Sequence, residues 1–525
     1  MAEFISAIEA AKLIPDDATV AVAGMGLSGW AEEIGCAIRD NFKETGHPCN
    51  LNLKQGSAMG DWKTRGLTRL GEAGPGLVTR WCGAQVGSVF SLRDMAQRNE
   101  LPLHELPQGI IVNLWREIAA GRPGLLSKVG LGTYVDPRIN GGKMNECAKE
   151  DLVELVNFNG EEYLFYKSFP LDVAILRGTI ADENGNISFA HESVVNEGMA
   201  VATAAHNSGG IVIVQVEYLA EKGSLNPKDV KIPGVLVDYV VQATSKDACW
   251  QTEGTYYEPS FCGDIRKPLA ALKPDPFDER KVIARRCAME LHRGDLINLG
   301  VGIPAQVANV VAEEGLIDDV AFSTESGMVG GVPAPLPNFG SAFNPEATVE
   351  HGAMFDIIDG GGLDMTCLGI GEADMEGNIN VSKFAPQGDE PARISGPGGF
   401  IDISCATDNV VFCGTFVGKA KIRVGDGKLE IIKEGTIKKF LKQVYQITFS
   451  GKYARPEQNV LYVTERCVFK LINGKMTVIE IAPGIDLEKD VINQMGFVPE
   501  VSPDLKLMDA GLFREKWGGL ADVIK

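Results

Sequence analysis

Asp16-Asp17-Ala18-Thr19-Val20-Ala21-Val22-Ala23-Gly24-Met25-Gly26 and Arg293-Gly294-Asp295-Leu296-Ile297-Asn298-Leu299-Gly300-Val301-Gly302-Ile303-Pro304 carry one pattern twice, an apolar strand running into a glycine turn. A helical stretch precedes each copy (Ser6 to Leu13; Lys281 to Leu291) and another follows (Ala31 to Asp40; Ala305 to Glu314). Later in the chain comes a second matched pair. Leu171-Asp172-Val173-Ala174-Ile175-Leu176 leads to Asp182-Glu183-Asn184-Gly185-Asn186-Ile187, and Leu363-Asp364-Met365-Thr366-Cys367-Leu368 leads to Asp374-Met375-Glu376-Gly377-Asn378-Ile379. Two similarities repeated in the same order mark an internal duplication. Continuous apolar strands such as Ile211 to Val216 and Val410 to Phe412, alternating with helical segments, predict largely parallel buried sheets. The fold class is therefore α/β, with two related open-sheet halves.

The chain has 525 residues, beyond the size at which a single core keeps growing, so two large domains are expected. A polar, proline-bearing stretch (Arg266-Lys267-Pro268; Lys273-Pro274-Asp275-Pro276) suits a linker. The predicted organisation is a first half over 1–262, a linker over 263–280 and a second half over 281–525. After about Thr436 the pattern is mixed, with strands near Asn459 to Val463 and Met476 to Ile481 completing the second half.

Hydrophobic residues make 45% and charged residues 23%, which excludes a disordered, collagen-like or coiled-coil chain. A formal net charge of −20 gives no global attraction for nucleic acid or an anionic membrane. The N-terminal stretch lacks a basic n-region, and no run approaches the ~18 apolar residues of a membrane span. Eleven scattered cysteines without a CxxC suit a reduced, cytoplasmic protein. The six histidines never fall at metal-ligand spacing, so no metal site is expected.

Several stretches could carry chemistry. Gly24-Met25-Gly26-Leu27-Ser28-Gly29 fits GxGxxG, but the acidic residue of a dinucleotide site is missing, since the next strand runs into Lys54-Gln55. A strand-to-helix turn is the better reading. The two DxxGNI stretches lack the Gly and Glu positions of a calcium loop and read as β-turns. Ala321-Phe322-Ser323-Thr324-Glu325-Ser326-Gly327 places one carboxylate on a turn at a strand end, where ligands bind in open α/β sheets; the alternative is a solvated strand-end Glu. Aligning the halves by pattern puts Trp81, in Val78-Thr79-Arg80-Trp81-Cys82-Gly83, at the place of Glu325. Gly396-Pro397-Gly398-Gly399 offers unobstructed backbone N–H groups for an oxyanion, or is simply a tight turn. Gln108, beside Pro107 and Gly109, is a candidate side-chain donor or part of a surface turn.

Together these stretches resemble the family I CoA-transferases, most closely the single-chain propionate/acetate CoA-transferases with fused α-like and β-like halves. The resemblance runs nearly end to end. It rests on Leu106-Pro107-Gln108-Gly109, Gly130-Leu131-Gly132-Thr133-Tyr134-Val135-Asp136-Pro137-Arg138, Thr324-Glu325-Ser326-Gly327, Asp359-Gly360-Gly361-Gly362-Leu363-Asp364, Gly398-Gly399-Phe400-Ile401-Asp402 and Ile481-Ala482-Pro483-Gly484-Ile485-Asp486-Leu487. It implies an active site at the interface between the halves, with Glu325 as nucleophile and Gln108 and the Gly399 N–H as oxyanion donors. Gly300, Val301, Gly302 and Gly398 are expected to contact substrate or CoA. It further implies short-chain acyl-CoA and carboxylate substrates, no tightly bound cofactor, CoA as a transient covalent thioester, and a homo-oligomer, a tetramer.

On this reading Glu325 is already ionised at pH 7 and attacks without a base. The stretch Pro386 to Arg393 is longer than in close relatives and adjoins the oxyanion loop, so it is expected to alter the acyl pocket. An acyl-CoA hydrolase on the same scaffold and a non-enzymatic ligand sensor are the alternatives.

Overall fold

The computed structural model describes residues 2–268 and 274–524; residues 269–273 of the expected linker lie outside the described residues. The first sheet has strands β1 (Glu3–Phe4), β2 (Thr19–Val22), β3 (Leu51–Gln55), β4 (Val78–Gly83), β5 (Leu103–Glu105), β6 (Val173–Arg177), β7 (Ile211–Val216) and β8 (Tyr239–Gln242). Their order is β1-β8-β7-β6-β2-β3-β4-β5, and every neighbouring pair is parallel. The second sheet has β9 (Leu296–Leu299), β10 (Ala321–Ser323), β11 (Met328–Val329), β12 (Ala347–Thr348), β13 (Met365–Gly369), β14 (Asn409–Cys413), β15 (Asn459–Val463), β16 (Cys467–Ile472), β17 (Lys475–Ile481) and β18 (Glu500–Leu507), in the order β12-β11-β10-β9-β13-β14-β15-β16-β17-β18. Its centre, β10-β9-β13-β14-β15, is parallel like the first sheet. Antiparallel pairs extend it on both sides. Every residue of β6 is buried, as is expected of a parallel strand covered on both faces.

The duplication extends to individual hydrogen bonds. Asp172 Oδ2 accepts from Thr19 N at 2.7 Å, and Asp364 Oδ2 accepts from Leu296 N at 2.8 Å. Asp182 and Asp374 each close their own turn, accepting from Asn186 N at 3.0 Å and Asn378 N at 3.1 Å. These carboxylates are thus used structurally, as the β-turn reading requires. Register also corrects one expectation. Val20 pairs with Val173 and Leu53, as Ile297 pairs with Met365 and Phe322. Three residues beyond Leu53 is Gly56, and three beyond Phe322 is Glu325. Gly56, not Trp81, is therefore the counterpart of Glu325. Trp81 lies one strand further out, on β4, with 1% of its surface exposed. An apolar pattern does not tell one parallel strand from the next, whereas register does.

The halves meet through matching helices. Helix α1 (Gln108–Ala119) precedes β6 in the chain, and α3 (His351–Asp359) precedes β13; α2 (Gly198–Asn207) and α4 (Phe400–Ala406) follow those strands. Both α1 and α3 open with a polar residue and then glycine. A Cβ on Gly109 would lie 2.4 Å from Phe355 of α3, and one on Gly352 would lie 2.9 Å from Asn113 of α1. The two glycines therefore let the helices cross closely. Gln108 N donates to Gly398 O at 3.1 Å, and His351 N donates to Val195 O at 3.0 Å. Each helix start is thus bonded to the loop that enters the next helix of the other half.

Candidate active site

Glu325 sits on the tight turn joining β10 to β11. Thr324 N donates to Met328 O at 2.9 Å and Gly327 N to Thr324 O at 3.0 Å. Gly327 has φ +111°, and a Cβ there would stand 2.1 Å from Val349 O, so only glycine closes this turn. The turn presents the Glu325 carboxylate, 9% exposed, to a cavity of about 250 Å³ between the halves. Gln108, Gly398 and Gly399 line the same cavity. Glu325 is thus not a solvated strand-end side chain.

Burial pushes the Glu325 carboxyl up to about 7, and the nearby His351 ring opposes this. This corrects the expectation of a fully ionised group: near pH 7 about half is protonated. A more basic carboxylate is also a stronger nucleophile. Because only the ionised form can attack, kcat/KM for acyl-CoA is expected to be flat well above pH 7 and to fall about tenfold per unit well below it. A pH–rate profile checks this; a limb centred near 4.5 would mean the group titrates as if solvated.

The oxyanion candidates differ in what their donors already do. Gly398 N donates to Ala84 O at 2.9 Å, so that N–H is spent. Gly399 caps α4, and among the described residues its N–H has no protein acceptor. Gln108 opens α1 and is 1% exposed, so the surface-turn alternative is set aside. Its side-chain Nε2 lies 2.9 Å from His351 Nε2.

Gly300 and Val301 line the cavity, with Gly300 N committed to Cys367 O at 2.8 Å. Gly302 is not among the residues that line this cavity. Residues 386–393 join the short antiparallel strands Lys383–Phe384 and Arg393–Ile394, and they too are not among the lining residues. Met25 and Gly26 from the first glycine turn do, beside Ser57, Trp62 and Glu253. Burial raises the Glu253 carboxyl to about 8.

His351, Glu197 and Glu253 were missed by sequence reasoning. A signal for His351 does exist: His351-Gly352 repeats Gln108-Gly109 at the start of the matching helix. Among the described residues no helix is long and apolar enough to cross a membrane.

A duplicated α/β chain with a buried glutamate on a strand-end turn, an amide side chain and a backbone N–H in one inter-half cavity has the architecture of an acyl-group transferase. Residues 4–243 match the model of the coenzyme A transferase family. The chain is 65% identical over 525 residues to the caffeate CoA-transferase of Acetobacterium woodii, covering 100% of both. It is 40% identical over 515 residues to the acetate CoA-transferase YdiF of Escherichia coli K12, covering 97% of this chain and 94% of that one. The crystal structure of acyl-CoA transferase YdiF from E. coli O157:H7, as a thioester complex with CoA, superposes with a TM-score of 0.89 at 39% identity, covering 99% of this chain and 97% of that one. The chain belongs to the coenzyme A transferase family. It is an enzyme of that class rather than a ligand sensor.

Proposed function

We propose that the chain moves CoA between carboxylic acids through Glu325, and that it is organised as an α-like half (1–262), a linker (263–280) and a β-like half (281–525). The observation that carries the reading is the buried Glu325 carboxylate in one cavity with Gln108 and the Gly399 N–H, both the carboxylate and that N–H without a hydrogen-bond partner among the described residues. A Glu325 oxygen attacks the thioester carbonyl carbon. The C–S bond breaks, giving an acyl-glutamyl anhydride and CoA thiolate. The thiolate attacks the Glu325 Cδ, releasing the donor acid as carboxylate and leaving a glutamyl-CoA thioester. The acceptor carboxylate then reverses both steps, forming its own anhydride and leaving as acyl-CoA. Each addition builds a tetrahedral oxyanion, which Gln108 and the Gly399 N–H stabilise. One thioester is exchanged for another, so no proton is consumed overall. Carboxylates are weak nucleophiles, so binding energy from the remote CoA body drives the reacting atoms together.

The sequence reading expected acetate or propionate as the acyl group. The cavity walls favour a larger, planar acid: Trp62, Leu336, Phe339 and Phe400 are apolar and mostly aromatic. Glu253, the other ionisable lining residue, is held largely protonated by burial near pH 7 and can donate to a ring hydroxyl. The relative named for caffeate is also more similar to this chain than those named for acetate. We therefore place arylacrylates ahead of two- and three-carbon acids.

Intact and peptide mass spectrometry after mixing with acyl-CoA, without acceptor, tests both levels. The expected result is CoA added to the peptide containing Glu325, discharged faster by caffeate than by cinnamate, and faster by cinnamate than by propionate or acetate. No adduct removes the Glu325 mechanism. An adduct that drains to water equally fast with and without acid makes the enzyme a hydrolase.

A further inference from the structure

The cavity wall behind Gln108 is a buried chain of polar groups drawn from both halves. His351 Nδ1 lies 2.7 Å from Glu197 Oε2, and His351 Nε2 lies 2.9 Å from Gln108 Nε2. Glu197 is 0% exposed, and His351 and Gln108 are each 1% exposed. Glu197 caps α2, while Gln108 and His351 open α1 and α3. Glu197 fills the space left by Gly56, where a Cβ would stand 2.6 Å from its Oε1. Burying a carboxylate is costly unless it is paired. Its partner here is the imidazole.

The order of the chain decides what Gln108 offers the cavity. A side-chain amide exchanges its nitrogen and oxygen by a half-turn of the terminal torsion, and its neighbour determines which way it points. A neutral imidazole with its proton on Nδ1 accepts at Nε2. This draws the Gln108 NH2 onto the ring, as seen here, and leaves Oε1 on the side of Gly398, where a Cβ would be 3.4 Å from it. An oxygen there repels an oxyanion. An imidazolium donates from both nitrogens, to Glu197 and to Gln108 Oε1, and so turns the NH2 outward.

We propose that His351 and Glu197 are positioning residues: Glu197 fixes the His351 ring through Nδ1, and the ring, through Nε2, sets how the Gln108 amide faces the acyl oxyanion. The inference rests on the roles proposed for Glu325 and Gln108. The carboxyl groups beside the ring are Glu197, at Nδ1, and the nearby Glu325. Arg116 of α1 is taken by Glu350 and Asp356, and the buried Asp402 carboxyl of α4 lies against Gly109, where a Cβ would stand 2.6 Å from its Oδ1. The Phe355 ring, 5.6 Å away, closes the remaining side.

Glu197→Gln keeps the shape and removes the carboxylate that fixes the ring at Nδ1. It is expected to lower kcat about 100-fold, close to the loss from Gln108→Ala, with KM for acyl-CoA within about twofold. On the Gln108→Ala background it should cost little more, because the amide it positions is gone. Glu197→Asp should recover most of the activity. If Glu197→Gln does not fold, His351→Phe, which fills similar space without hydrogen bonding, takes its place in the same double-mutant cycle. Losses that multiply, or a kcat near wild type in either variant, overturn the positioning role. If Gln108→Ala itself loses nothing, the oxyanion assignment fails and the positioning role falls with it.

Discussion

Glu325→Gln is expected to lower CoA transfer by ~10⁴-fold or more and, in the same molecule, to raise stability at pH 8. The first effect follows from chemistry: the amide has the shape of the carboxyl but cannot form the anhydride. Glu325→Asp keeps the carboxylate but withdraws it by one methylene, and a misplacement of about 1 Å costs on the order of 100-fold. The second effect follows from linkage. Burial pushes the folded-state carboxyl up to about 7, against about 4.5 for a solvated glutamate. A group that holds its proton more tightly when folded penalises folding once the solution would remove that proton. The penalty is absent below about pH 4, grows as pH rises through the interval, and is complete above 7. That interval is worth about 3 kcal/mol. Glu325→Gln should therefore melt higher than wild type at pH 8, and the difference should vanish near pH 4. A variant that stays active sinks the nucleophile assignment. One that is inactive without a pH-dependent stability gain would mean that the carboxylate is solvated, contrary to its burial in the cavity.

The same trade-off explains which parts of the molecule were legible in the sequence. The duplicated strands were visible because burial on both faces demands long apolar runs, and Asp172 and Asp364 repeat because each bonds the neighbouring strand's N–H. The Glu325 turn was visible because Gly327 must adopt a positive φ against Val349. What stayed hidden depends on which residues oppose one another across strands and across the halves. Trp81 was matched to Glu325 because both follow apolar strands, and only the pairing of β2 with β3 and of β9 with β10 shows that Gly56 is the counterpart. Gly300 and Gly302 follow one another in the same glycine turn, yet only Gly300 lines the cavity. His351 and Glu197 lie 154 residues apart in sequence, so no local pattern could pair them. The carboxyl's shift to about 7 is likewise a property of the assembled wall, to which both halves contribute.

The two oxyanion donors make separable predictions, because one is a side chain and the other is backbone. Gln108→Ala removes an N–H that acts only when charge develops, so kcat should fall by about 10²–10³-fold with KM little changed. The Gly399 N–H survives any ordinary substitution there, which gives a paired test. Gly399 has φ −81°, near the value of about −65° that a proline ring fixes. Gly399→Pro therefore deletes the donor without requiring a new backbone conformation at that residue. Gly399→Ala keeps the donor and adds a Cβ 3.1 Å from the Phe355 ring and 3.3 Å from Ile403, so those neighbours must give by a few tenths of an ångström. Gly399→Pro is expected to lose about 10²–10³-fold in kcat, whereas Gly399→Ala should lose far less. Equal losses would mean that the glycine matters for space and not for its N–H. Gly398 is the control, since its N–H already serves Ala84 O: a substitution there should disturb folding through its φ of +56° without a selective effect on kcat. Together with the double-mutant cycle through Glu197, this comparison distinguishes a donor that acts on the transition state from one that only holds the loop in place.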